Sequence, residues 1–161
     1  MNEIGAQPAE PAASATTNEI GAQPGDRLRL AAVIAATLGL AIAAYLTYVH
    51  YAGIEPICAA SGACERVQSS SYAKLAGMPV ALMGLIGYAA ILFATLLPGE
   101  LPRLAACWLA LVGLGFSLYL TYLELFEIEA ICQWCVASAA IMAALAVITT
   151  LRAVSSPVNG Y

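Results

Sequence analysis

Charge is what this chain has least of. Lys, Arg, Asp and Glu together make up 10% of its 161 residues, while 61% are hydrophobic. Soluble domains carry about 25% charged residues, so an ordinary water-soluble globule is excluded. With six basic residues against ten acidic ones, no nucleic-acid partner is expected. Residues 1–26 are not expected to be a signal peptide, because they have neither a basic start nor a short apolar core. Residues 1–26 also lack apolar periodicity. They are rich in Ala, Pro, Glu, Thr and Ser, and "NEIGAQP" occurs at Asn2–Pro8 and again at Asn18–Pro24. A duplicated low-complexity stretch of this kind is expected to form a disordered N-terminal tail.

What the chain has instead is long apolar runs. Four of them, Leu30–Val49, Pro79–Leu97, Leu104–Leu123 and Cys132–Leu151, hold no charged side chain in their interiors. Each is long enough to cross a bilayer, which takes about 20 residues. Isolated strands cannot do this, since their backbone groups would go unpaired in lipid. Gly39, Gly84, Gly87, Gly113, Gly115 and many alanines supply the small residues that close helix packing in membranes uses. The expected fold class is an all-α integral membrane protein, a four-transmembrane-helix bundle over residues 27–153. Residues 154–161 form a short C-terminal tail.

The six basic residues set the expected orientation. Arg27 and Arg29 precede the first run, Arg103 lies in the turn between the second and third, and Arg152 follows the fourth. Only Arg66 and Lys74 fall on the other side. By the positive-inside rule both termini are cytoplasmic, and loops 50–78 and 124–131 lie outside.

Two passages repeat: "YLTYVHYAGIEPIC" (Tyr45–Cys58) and "YLTYLELFEIEAIC" (Tyr119–Cys132) agree at eight of fourteen positions. Each brings a helix end and a cysteine to the outer face. Tyr45, Tyr48, Tyr119 and Tyr122 are explained as interface anchors, but the cysteines are not. Cys107, inside the third run, reads as a small buried hydrophobe. The other four make two outer pairs: Cys58/Cys64, spaced C-x5-C, and Cys132/Cys135, spaced C-x-x-C in "CQWC".

Three readings of these pairs stand open: two structural disulfides, a four-cysteine zinc site, or a redox relay. A side open to oxidants permits disulfides. Zinc would need four tetrahedral thiolates. The relay is favoured because "CQWC" falls at a helix start. There, unpaired N–H groups and the helix dipole favour thiolate, the reactive form. That start also lies at the edge of lipid, where a hydrophobic oxidant dissolves.

"CERVQSSSYAKLAGMPVALMGLIGY" (Cys64–Tyr88) resembles the signature region of the vitamin K epoxide reductase family, in its bacterial branch. The matching positions are Cys64, Val67, Ser70, Tyr72, Gly77, Pro79, Gly84 and Tyr88, and Cys58 with the C-x-x-C completes the pattern over about residues 28–152. The resemblance implies a four-helix bundle around a quinone, menaquinone or ubiquinone, in a bacterial inner membrane. It implies re-oxidation of a periplasmic thioredoxin-fold partner that inserts disulfides into secreted proteins. Because the chain stops at Tyr161, that partner is expected to be a separate protein.

By the same resemblance Cys58 and Cys64 are the shuttle pair, with Cys58 meeting the partner. Cys64 passes electrons to Cys132, and Cys135, nearest the quinone, reduces it. Some relatives hold the quinone carbonyls with an Asn at the start of the second span and a Tyr one turn after the C-x-x-C. Here those positions are Val80 and Ala139, so polar contacts must come from elsewhere.

The quinone-site candidates are Ser70, Tyr72, Trp134, Met83 and Ala139. Ser70 and Tyr72 equally suit a loop closed on itself by a serine turn. Trp134 also suits an interface anchor, and Met78, Met83 and Phe116 also suit plain packing. His50 is a candidate for proton transfer, with a solvated helix end as its alternative. Glu124, Glu127 and Glu129 read as a solvated acidic edge where the third helix continues above the membrane.

Overall fold

The computed structural model describes residues 24–58, 63–70, 73–75 and 77–155. The elements are α1 (Pro24–Ala52), α2 (Ala63–Ser69), β1 (Lys74–Leu75), β2 (Met78–Pro79), α3 (Val80–Leu96), α4 (Glu100–Phe126) and α5 (Gln133–Val154). The four long helices form the expected bundle. α1 packs on α3 and α5, and α4 packs on the same two, which closes a ring of four. The chain is a multi-pass membrane protein: α1, α4 and α5 are each long and apolar enough to span a bilayer. α3, with 17 residues, is shorter and the most apolar of the four. At 1.5 Å per residue it reaches about 26 Å, close to the hydrocarbon thickness.

α1 starts at Pro24, so residues 24–26 are helical. A proline fits the first helical position because its missing N–H has no partner there anyway. Asp26 in the first turn complements the helix dipole. The rest of the expected N-terminal tail, residues 1–23, and residues 156–161 lie outside the described residues.

Small residues let the helices approach. Ala32, Ala36 and Ala43 of α1 are buried in one core with Tyr88, Ile91, Ala110, Met142, Leu145 and Ala146. Gly39 lies directly under the Tyr88 ring, where any Cβ would overlap it. Buried hydroxyls are satisfied within their own helices: Thr47 donates to Ala43 O (2.7 Å), Thr95 to Ile91 O (2.8 Å) and Thr149 to Leu145 O (2.7 Å). Leu30, Ile34 and Leu38 of α1 and Leu111, Val112 and Leu118 of α4 are exposed. In a membrane protein this belt faces lipid.

The connection from α1 to α3 carries the first cysteine pair. It turns at Gly53 (φ 65°), runs through α2 and returns along the antiparallel β1–β2 pair, with Lys74 opposite Pro79 and Leu75 opposite Met78. Gly77 sits in that turn at φ 84°, a conformation that costs little only without a Cβ. Pro79 then takes the N-cap position of α3.

Candidate active site

Cys58 and Cys64 are joined in a disulfide, with Cα atoms 6.3 Å apart. α2 carries Cys64, which is buried. Cys58 follows an extended segment that is pinned to the bundle from two sides. The Ile57 N–H donates to the Tyr45 hydroxyl (3.0 Å), and the Ile57 carbonyl accepts from Trp134 Nε1 (2.8 Å) and Gln133 Nε2 (3.4 Å). The Tyr45 and Trp134 rings also meet, with centroids 5.1 Å apart. This brings the loop to the start of α5. Cys64, Val67, Ala130 and Cys132 form one buried apolar cluster, with Cys58, Ile128, Trp134 and Cys135 packed against it. All four paired cysteines therefore share one cluster at one end of the bundle.

Cys132 is the N-cap of α5, and its carbonyl accepts the first helical bond from Val136 N (3.0 Å). Its thiol is fully buried. The Cys135 thiol hydrogen-bonds it and lowers its pKa from an ordinary 9.0 to about 7, helped by the backbone N–H groups of Cys135 and Trp134. Burial and the nearby Glu124 charge act in the opposite direction. The lowering favours thiolate at Cys132, the form that attacks disulfides.

Beneath the pair lies a cavity of about 370 Å³ between the helices. Its size falls in the roughly 300–1,000 Å³ range of small-molecule sites. Cys135 lines it and Cys132 does not. The walls are mostly apolar: Leu46 from α1, Met83, Gly84 and Gly87 from α3, Phe116 from α4, and Ala139 from α5. Polar atoms are few. Tyr88 Oη donates to Ser138 O (2.8 Å) and lies 2.9 Å from Ser138 Oγ. Thr121 Oγ1 donates to Ser117 O (2.9 Å). Ser70 and Glu124 complete the set. An apolar ring with two polar oxygens fits such a lining.

The candidates separate accordingly. Ser70, Met83 and Ala139 line the cavity, as do Val80 and Phe116. Ser70 also makes the local serine bond, its hydroxyl donating to Val67 O (2.8 Å). Trp134 points to the α1–α2 connection and holds Ile57 rather than entering the cavity lining. Tyr72 lies outside the described residues. Met78 is exposed on β2. His50 stacks edge-on against Tyr51 and is not among the lining residues. Cys107 lies 3.6 Å from Thr150 Oγ1 and takes no part in the cysteine cluster.

One expectation is overturned. Glu127 and Glu129 are exposed, but Glu124 is only 5% exposed. The cause is the α4–α5 turn, which folds back over the end of α4. Ala130 N donates to Glu124 O (3.2 Å), and Cys132 N donates to Glu124 Oε2 (3.2 Å). Glu129 takes a left-handed conformation (φ 51°) to make that turn. Glu124 and the Tyr88–Ser138 pair are the site residues that sequence reasoning missed. Ser138 had a usable signal, since it lies three residues after Cys135 on the same helix face.

A four-helix membrane bundle that holds a disulfide, a dithiol and an apolar cavity in succession defines a membrane thiol oxidoreductase with a lipid-soluble electron acceptor. The sequence profile of the vitamin K epoxide reductase family matches residues 30–150, and the chain belongs to that family. Its members are quinone-reducing thiol oxidoreductases, and this chain is such an enzyme.

Proposed function

We propose that the protein re-oxidises a thioredoxin-fold dithiol partner on the outer side of a bacterial inner membrane and passes the electrons to menaquinone or ubiquinone. The orientation rests on Arg27, Arg29, Arg103 and Arg152, which put both termini in the cytoplasm. The observation that carries the reading is the shared cluster: a Cys58–Cys64 disulfide packed on Cys132, with Cys135 opening onto the cavity.

The partner's thiolate attacks the Cys58–Cys64 disulfide, most accessibly at Cys58, through a mixed disulfide. The partner leaves oxidised, and Cys58 and Cys64 become thiols. Cys64 then attacks an oxidised Cys132–Cys135 pair, which restores the loop disulfide and leaves Cys132 and Cys135 reduced. A Cys58–Cys64 disulfide beside free Cys132 and Cys135 supports this order. Oxidation of this dithiol by the quinone completes the cycle. Cys135, which lines the cavity, is the residue we assign to the quinone, and the Tyr88, Ser138 and Thr121 hydroxyls are the neutral groups assigned to its oxygens.

The test is anaerobic. Purified, fully reduced protein is freed of reductant and given a soluble quinone analogue, while thiol count and quinol absorbance are followed together. Two thiols lost per quinol formed, with loss of both signals in Cys135→Ala, is the expected result. Thiols that persist, with one zinc bound per chain, would replace this reading with a metal clamp.

A further inference from the structure

The electron path leaves one buried ionisable side chain of the site without a task. Glu124 accepts the Cys132 N–H at 3.2 Å, and its carboxyl group also interacts with the Cys135 thiol. It lines the same cavity as Cys135. It is 5% exposed, and among the described residues it makes no ion pair. Burying a carboxyl group in apolar surroundings without a cation is costly, and ionisable groups kept within membrane helices mark proton or ion paths. The structural need is smaller than the group supplied, because a neutral amide would satisfy the Cys132 N–H equally well.

We propose that Glu124 is the proton-transfer residue of the quinone step, taking the Cys135 thiol proton and carrying it into the cavity. This rests on the cavity being the quinone site. Oxidation of the pair breaks two S–H bonds and forms one S–S bond between Cys132 and Cys135. The electron pair goes to the quinone, and its two oxygens gain two O–H bonds. One proton moves from Cys135 Sγ to the Glu124 carboxylate and from there to a quinone oxygen, which leaves Glu124 ionised again. The other, given up by Cys132, follows through the same carboxyl group, which already accepts the Cys132 N–H, to the second oxygen.

The lining shows why a carrier is required. Tyr88 of α3 and Cys135 of α5 are the other titratable groups on it, and Cys132 faces Glu124 from the start of α5. Among the described residues, α1 contributes only apolar side chains to the lining, and the segment around α2 contributes these and the Ser70 hydroxyl. Cys132 and Tyr88 are almost fully buried, so neither has a direct aqueous route.

The experiment compares wild type, Glu124→Gln and Glu124→Asp as full chains in lipid nanodiscs. Pre-reduced protein is oxidised by a soluble quinone analogue in a single anaerobic turnover across a pH series. An infrared difference spectrum of the carboxyl C=O region is recorded between reduced and oxidised protein. Glutamine keeps the size and the acceptor but carries no proton, so its rate should fall by about 10²-fold or more, the scale of general acid–base catalysis. Aspartate should recover most of that loss. Wild type should show a carboxyl band that changes on oxidation, shifts in D2O and moves in Glu124→Asp.

A wild-type rate in Glu124→Gln overturns the proposal. So does equal slowing by Gln and Asp, which marks a packing role, and so does a silent carboxyl region. The infrared band is read on the unmodified chain, so it decides even if Gln at 124 prevents folding. If wild type itself forms no quinol, the proposed function fails first; quinol formation with an inert Glu124 fails only the present proposal.

Discussion

The indole Nε1 of Trp134 donates to the Ile57 carbonyl at 2.8 Å, and so ties the neighbour of Cys58 to the neighbour of Cys135. With the Tyr45 and Gln133 bonds to Ile57, it holds the loop disulfide beside the helix dithiol. Trp134→Phe keeps the ring beside Tyr45 and removes the donor. A bond of this type is worth about 1 kcal/mol, and the Tyr45 hydroxyl still holds Ile57 N. The loop should loosen without detaching. Partner-driven quinol formation should fall roughly three- to tenfold, matching that energy and the lost alignment. Amide exchange around Ile57 should quicken in the same variant. An unchanged exchange rate would show that Tyr45, Gln133 and the disulfide hold the segment without Trp134.

Cys135→Ala should stop quinol formation and expose the step before it. Without Cys135, the Cys132 thiolate can still attack Cys64 within their shared cluster. The product is a Cys64–Cys132 disulfide with a free Cys58 thiol. Peptide mapping under non-reducing conditions should find that crosslink in Cys135→Ala, and alkylation should label Cys58. Finding Cys58–Cys64 intact at every quinone and partner concentration would mean that the two pairs do not exchange.

The convergence of the cysteines at one end of the bundle was legible because two independent signals agreed. The repeated passages deliver helix ends to one face, and "CQWC" marks a helix start. The bundle was legible from four uninterrupted apolar runs. Glu124 was not, because its neighbours "LELFEIE" read as a helix leaving the membrane. Only the fold-back of Ala130 and Cys132 over the end of α4 buries it, and that contact is tertiary. The hydroxyls of the cavity were hidden for a related reason. Val80 and Ala139 occupy the positions where polar contacts were sought, whereas Tyr88 and Ser138 meet across α3 and α5, fifty residues apart.

Packing around that hydroxyl pair can be tested from the opposite helix. Gly39 of α1 faces the Tyr88 ring, which no Cβ can approach without displacing it. Gly39→Ala should push the ring aside and break its bonds to Ser138. Overpacking a tight core costs typically about 1–3 kcal/mol. The variant should show a lower melting temperature in detergent and slower quinol formation. Gly115→Ala is the control, because a Cβ there meets nothing within 4 Å.

The thiolate at Cys132 gives a pH prediction with a definite sign. Its pKa is depressed in the folded protein, from an ordinary 9.0 to about 7, first of all by the Cys135 thiol. A depressed acid binds its proton more weakly in the folded than in the unfolded state. The stability it contributes is complete above the unfolded value near 9 and is lost as pH falls through about 7. Reduced protein should therefore gain melting temperature between pH 7 and 9 relative to protein with the Cys132–Cys135 disulfide, which has no thiol to titrate there. Thiolate absorbance at 240 nm should rise with a midpoint near 7 in wild type. In Cys135→Ala the midpoint should move upward, because the hydrogen bond that is the largest cause of the depression is gone. A midpoint that stays in place would assign the depression to the α5 N–H groups rather than to the neighbouring thiol.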